Sequence, residues 1–164
     1  MRKMALVIGV VSIGLAAVAA TTAAATTSVS VSMTFTEPLK PGWPGSEPCP
    51  DIGIGVNCGS GEVRPFGHAT QIVSIGACGE TCNLRWIDLA DGTIVLRETA
   101  TDFSCPGACV PEWPHGALFH LTLTAFVVGG TGIFEGASGT LSGTVSAAAW
   151  HAQIKYSGTL TLAS

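Results

Sequence analysis

Charge is scarce in this chain. Only 11% of its 164 residues are Asp, Glu, Lys or Arg, and the formal charge is −4. The basic excess that a nucleic-acid footprint requires is therefore missing. Aromatic residues make up 7%, and tyrosine occurs once. Beyond the first 25 residues no stretch carries the 3.6-residue apolar period of an amphipathic helix, which argues against helical folds. No Gly-x-Ser-x-Gly elbow and no Cys-x-x-Cys pair occurs, and no two histidines share a strand at metal-ligand spacing. Neither a metal nor a cofactor is expected on these grounds. What the chain has instead is 47% hydrophobic residues and 21 glycines. That composition excludes a disordered protein, and the length suits one domain rather than two.

Residues 1–25 open with Arg2 and Lys3, run apolar from Met4 to Ala20, and thin into small residues at Ala23-Ala24-Ala25. This order reads as a secretory signal peptide, removed to leave a domain over 26–164. The competing reading is a membrane anchor of barely sufficient length. Removal leaves five basic against eleven acidic residues. A secreted protein of that charge, with no membrane or nucleic-acid partner after cleavage, is expected. Cys49, Cys58, Cys78, Cys82, Cys105 and Cys109 all lie beyond the leader, and an even number in an exported chain points to disulfides. Three short loops (49–58, 78–82 and 105–109) are the expected pairing, with crosslinks between neighbouring turns as the alternative.

Val29, Val31, Met33 and Phe35 alternate with serines and threonines, the period of a half-buried strand. Residues 37–65 hold most of the nine prolines and read as a long irregular loop. Strand-like runs follow at 68–76, 83–89, 93–103, 117–128, 133–147 and 150–162. Seven or eight sequential strands with short connections predict an all-β, single antiparallel up-and-down barrel of about eight strands, since closure removes exposed edges.

One stretch goes beyond general β patterning. Phe126-Val-Val-Gly-Gly-Thr-Gly-Ile-Phe-Glu-Gly-Ala-Ser-Gly139 resembles the signature turn of the dirigent and allene oxide cyclase barrel-like superfamily. Within that superfamily it is similar to the small exported bacterial members, which carry G-T-G-x-F-x-G-A-x-G. The matching positions are Gly130, Thr131, Gly132, Phe134, Gly136, Ala137 and Gly139, with Gly129 just before them. The run from Gln153 to Leu162 is similar to the last strand of that barrel. The resemblance implies an eight-stranded barrel with a largely apolar lumen that confines a small hydrophobic molecule, and a trimer as in plant dirigents. The motif glycines read as architectural. The early His-Asp element of plant dirigents has no counterpart here, so radical coupling does not carry over.

Asp91-Gly92 suggests a type I′ hairpin. With those two residues as the loop, Leu89 faces Ile94, Ile87 faces Leu96 and Arg85 faces Glu98, on the face richer in aliphatic residues. The other face pairs Trp86 with Arg97 as a surface cation–π contact. Arg85 and Glu98 are then either a rim salt bridge, the reading preferred here, or a charged pair inside the lumen that could act as acid or base. His120 belongs to the lumen only if Leu118, Thr122 and Phe126 do. Phe119, Leu121 and Leu123 form the more apolar face, so His120 is expected outside. The leading functional expectation is an exported barrel that binds or shields a small hydrophobic molecule. The alternatives are a cyclase or isomerase acting by confinement, with Glu98 or His120 assisting, and an interaction module with a filled barrel presenting loop 37–65.

Overall fold

The computed structural model describes residues 25–39, 56–106 and 117–163. Residues 1–24, nearly all of the segment expected to be a leader, and most of the Pro-rich segment therefore lie outside the described residues. Eight strands follow one another: β1 (Thr26–Pro38), β2 (Val56–Arg64), β3 (Gly67–Gly79), β4 (Cys82–Leu89), β5 (Gly92–Ser104), β6 (Ala117–Gly130), β7 (Ser138–Ala149) and β8 (His151–Ala163). Each pairs antiparallel with its sequence neighbours, and β1 closes the barrel on β8 from Thr26↔Ala163 to Pro38↔His151. The expected single up-and-down barrel is the fold.

Alternation decides the inside. Val31, Met33 and Phe35 of β1, Leu141 and Val145 of β7, and Ala152, Ile154 and Leu160 of β8 are buried. The Ser and Thr residues between them face outward, as a closed sheet with a packed interior requires. One end of the lumen is filled. Phe134, from the short 3-10 turn Gly132–Phe134 between β6 and β7, is fully buried and meets Phe66 edge-on at 5.0 Å between ring centroids.

That turn also fastens the β4–β5 hairpin. Thr131 N–H donates to the Thr93 carbonyl (2.9 Å), Thr93 N–H donates to Thr131 Oγ1 (3.0 Å), and Ile133 N–H donates to the Asp91 carbonyl (3.1 Å). Gly92 lies so close to Thr131 that a Cβ there would overlap its carbonyl. This contact corrects the expected hairpin. Leu89 pairs with Gly92 and Ile87 with Ile94, so the loop is Ala90-Asp91 and the register sits two residues from the expected one. Neither loop residue has a positive φ, whereas Gly92 does (144°), so the turn is not type I′. Gly92 serves close backbone approach within the strand rather than the turn itself.

Three further expectations are corrected. The strand expected over 133–147 starts only at Ser138, because residues 132–134 form the turn that delivers Phe134. The loop expected over 37–65 contains the end of β1 and all of β2. β2 escapes sequence reading because its inward positions include Gly59 and Gly61, where a Cβ would meet the Thr36 and Thr34 carbonyl oxygens of β1. Small residues are needed there, so no hydrophobic alternation develops. Trp86 pairs with Val95 and not Arg97, whose guanidinium lies 5.7 Å from the Phe126 ring centroid instead.

Candidate functional site

The lumen away from Phe134 is polar. Five inward side chains, one from each of five strands, supply most of it: Glu37 (β1), Gln71 (β3), Arg85 (β4), Glu98 (β5) and Tyr156 (β8). Each is at most 4% exposed. Arg85 sits at the centre. Its Nε donates to Glu98 Oε1 at 2.5 Å and its Nη1 to Glu37 Oε1 at 2.8 Å, and Nη1 also donates to Gln71 Oε1. The second Gln71 group, Nε2, donates to Glu37 Oε1 at 2.6 Å, and the Tyr156 hydroxyl donates to Glu98 Oε1 at 2.5 Å. The guanidinium also lies 5.7 Å from the Tyr156 ring centroid.

Two glycines make room for these groups. A Cβ on Gly59 would lie 2.7 Å from Gln71 Nε2 and 3.0 Å from Glu37 Cγ, and one on Gly143 would lie 2.6 Å from the Tyr156 ring. The cluster thus needs strands β2 and β7 to be bare at those two places.

Burial by itself disfavours the charge on Arg85. The Glu98 carboxylate, then Tyr156 and Glu37, outweigh that effect and hold the guanidinium well above its ordinary value. Burial also pushes the Tyr156 phenol well above its ordinary value; Arg85 opposes this and Glu98 reinforces it. Arg85 is therefore a fixed cation and Tyr156 a fixed donor.

The preferred reading of Arg85 and Glu98 as a rim salt bridge is overturned. Their side chains are 3% and 0% exposed. A rim site requires the pair to lie near a strand end, but β1, β3 and β8 wrap the pair with Glu37, Gln71 and Tyr156. The inward face itself was legible, because a two-residue change of register keeps every side chain on its side. Direct opposition was not: Glu98 pairs with Asn83 and Arg85 with Leu96, so the ion pair is diagonal. His120 lies outside as expected, exposed on β6 with Nδ1 2.9 Å from Ser146 Oγ of β7. It is on the opposite side of the sheet from Arg85 and Glu98. Glu37, Gln71 and Tyr156 were missed, although parity marks each: Glu37 continues Val31-Met33-Phe35, Gln71 shares its face with Ala69 and Val73, and Tyr156 shares its face with Ile154.

Above the cluster lies a cavity of about 200 Å³. Glu37, Arg85 and Glu98 form its floor, and Leu39, Val73, Leu121, Leu123 and Ile154 its walls. Phe103, 55% exposed, and Ile75, 43% exposed, stand at its rim, with Phe103 stacked at a tilt on Phe119 at 6.1 Å. Asn57 of β2 also lines it. Its Oδ1 is buried without a hydrogen-bond partner.

The strand ends around this mouth are braced. Cys78 and Cys82 form the expected disulfide across the β3–β4 turn, with Cα atoms 5.1 Å apart. Just before it β3 bulges between Ser74 and Gly79, and Asn83 Oδ1 accepts from Gly76 N–H at 3.0 Å. Cys58 and Cys105 are disulfide-bonded as well. Their expected partners Cys49 and Cys109 lie outside the described residues. Among the described residues no three His, Cys, Asp or Glu side chains gather as a metal-binding group.

These features define a class: a closed eight-stranded up-and-down barrel with one end plugged and the other opening on a cavity with a polar floor. Comparison of the chain with protein-family models, curated proteins and solved structures returned no match in any of the three.

Proposed function

We propose that this protein is an exported, non-catalytic barrel that binds one small, mainly apolar molecule in the cavity above Arg85. The observation that carries this reading is the cavity itself: aliphatic and aromatic walls over a few converging polar groups, the usual make-up of a small-molecule site. An apolar cavity of about 150 Å³ accommodates benzene. A volume of about 200 Å³ therefore suits a single ring with a short substituent. Large apolar side chains left exposed at the rim, Phe103 and Ile75, fit an entrance for such a molecule.

Export is supported by the basic, apolar and small-residue order of residues 1–25 and by the Cys78–Cys82 disulfide. Membership of the dirigent and allene oxide cyclase barrel-like superfamily is part of the same proposal. The Gly129–Gly139 motif supports it, together with the way that motif seats Phe134 and fastens the β4–β5 hairpin. Against the cyclase reading stands the geometry of its two helpers. His120 is outside the lumen, and Glu98 Oε1 already accepts from Arg85 and Tyr156.

The test is native mass spectrometry and calorimetry of the purified protein with single-ring hydrophobic compounds. A 1:1 complex with Kd below about 100 μM, some −5.5 kcal/mol, is expected. For about nine heavy atoms this is well within the attainable affinity per atom. A panel in which nothing binds at that level refutes the reading.

A further inference from the structure

We propose that the cavity selects molecules with a cationic amine at one end of the apolar body, of the size of an arylalkylamine. The inference rests on the reading of the cavity as a small-molecule site and adds the chemistry of the ligand's polar end. It follows from which protein groups remain unsatisfied where the ligand would sit.

The floor counts two carboxylates, Glu37 and Glu98, against one guanidinium, Arg85. Among the described residues Arg85 is the only cation paired with either carboxylate. One formal negative charge is thus left over in a place nearly closed to water. A buried charge without compensation is strongly unfavourable, and a positive group brought in by a ligand removes that cost. Arg85 is a poor receptor for an anion in the same position, because four of its five N–H groups are engaged and its charge is already matched by carboxylates. Its Nε and Nη2 face Glu98, and its Nη1 serves both Glu37 and Gln71. The tyrosine hydroxyl is also committed, to Glu98.

A separate observation points the same way. Asn57 is 3% exposed, lines the cavity, and its Oδ1 accepts no hydrogen bond. A buried acceptor left in this state is rare and costs about 1–3 kcal/mol. An ammonium is a donor with several N–H groups and no acceptor, so it can meet both the Asn57 oxygen and the carboxylate side of the floor. A hydroxyl can satisfy Asn57 but leaves the charge. A carboxylate satisfies neither and adds a second negative charge beside Glu37. The order of preference is therefore amine, then alcohol, then carboxylate. The aromatic rim suits the same ligand, since Phe103 and Phe119 offer ring faces to an aromatic body or to a cation on its way in.

The experiment is a calorimetric titration of the purified protein at neutral pH with 2-phenylethylamine, 2-phenylethanol, phenylacetate and propylbenzene, which share nearly the same body. The amine is expected to bind at least tenfold tighter than the alcohol, and phenylacetate not to bind measurably. Equal binding of amine and alcohol, or a preference for phenylacetate, overturns the proposal while leaving the cavity as an apolar binding site. Failure of all four, propylbenzene included, overturns both readings. Two variants locate the effect: Glu37→Gln should lower amine affinity about tenfold and leave the alcohol unchanged, whereas Asn57→Leu should weaken amine and alcohol and spare propylbenzene. Circular dichroism confirms that each variant is folded, and the selectivity series on the unaltered protein decides the question if either is not. Loss of alcohol and amine binding in equal measure in Glu37→Gln counts against charge recognition.

Discussion

The two halves of the lumen solve the same packing problem in opposite ways. At the Phe134 end the interior is apolar: Phe134, Ile94, Leu160 and Val31 are buried, Phe66 packs against Phe134, and the backbone of the β6–β7 turn is drawn down on the hairpin tip. At the other end the strands carry inward a guanidinium, two carboxylates, a carboxamide and a phenol, and above them the described residues line a cavity. Apolar side chains pack without regard to direction and can close on one another at crystal-like density. Polar groups satisfy each other only at fixed distances and angles, so they organise a layer and stop. A barrel interior that changes from one regime to the other midway has a stable base and a recess with a chemically defined floor.

The sharpest way to break this contrast is at the centre of the polar layer. Arg85→Met leaves Glu37 and Glu98 buried without their cation, and should cost about 3–5 kcal/mol in chemical denaturation. The combined variant Arg85→Met/Glu37→Gln/Glu98→Gln should recover most of that loss, because replacing a whole buried ionic group is often neutral. If the triple variant is no more stable than the single one, the uncompensated carboxylates are not the source of the damage. At the plugged end Phe134→Ala should cost a similar or slightly smaller amount, about 3–4 kcal/mol, from lost burial and the cavity left behind. No polar substitution elsewhere should restore it.

A smaller effect distinguishes the halves by pH. Tyr156 is the one tyrosine of the chain, so tyrosinate absorbance reports on it alone. Its folded-state pKa is raised, chiefly by burial. The folded protein therefore holds the phenol proton more tightly than the unfolded chain does, whose tyrosine titrates near its ordinary value of about 10. The linked stability is fully present below about pH 10 and declines as pH rises beyond it. Tyrosinate absorbance should accordingly lag in the folded protein and emerge together with loss of near-ultraviolet dichroism. A tyrosine that ionises near pH 10 with the fold intact contradicts the buried hydrogen bond to Glu98. The smallest effect belongs to neither half: His120→Ala, on the outer face, should change stability by less than about 0.5 kcal/mol and leave ligand binding unaltered.

Much of this architecture is legible in the order of residues, and the failures are instructive. The alternation of Val29 to Phe35 marks β1 and, continued one step, points Glu37 inward. Pro38 obscured that step by suggesting a loop, yet it pairs with His151 as the last residue of the strand. The Gly-Gly-Thr-Gly run announced a tight turn, but not that the turn would fasten a hairpin 38 residues earlier through Thr131 and Thr93. That contact shifted the hairpin loop by one residue and the pair sum by two.

Alternation, turn chemistry and disulfide spacing are properties of neighbouring residues, and they sufficed for seven of the eight strands, their antiparallel order, the inward face of Arg85 and Glu98, and the outward face of His120. Depth in the barrel is not such a property. Whether Arg85 and Glu98 meet water or a dry interior depends on how β1, β3 and β8 are staggered around them, and on Gly59 and Gly143 standing where larger residues would block Gln71 and Tyr156. Only closure of the sheet brings residues 37, 71, 85, 98 and 156 into one hydrogen-bonded layer. The floor, with two carboxylates on one guanidinium, and the unpartnered Asn57 Oδ1 are consequences of that closure, because hydrogen bonding and desolvation depend on distance in space and not along the chain.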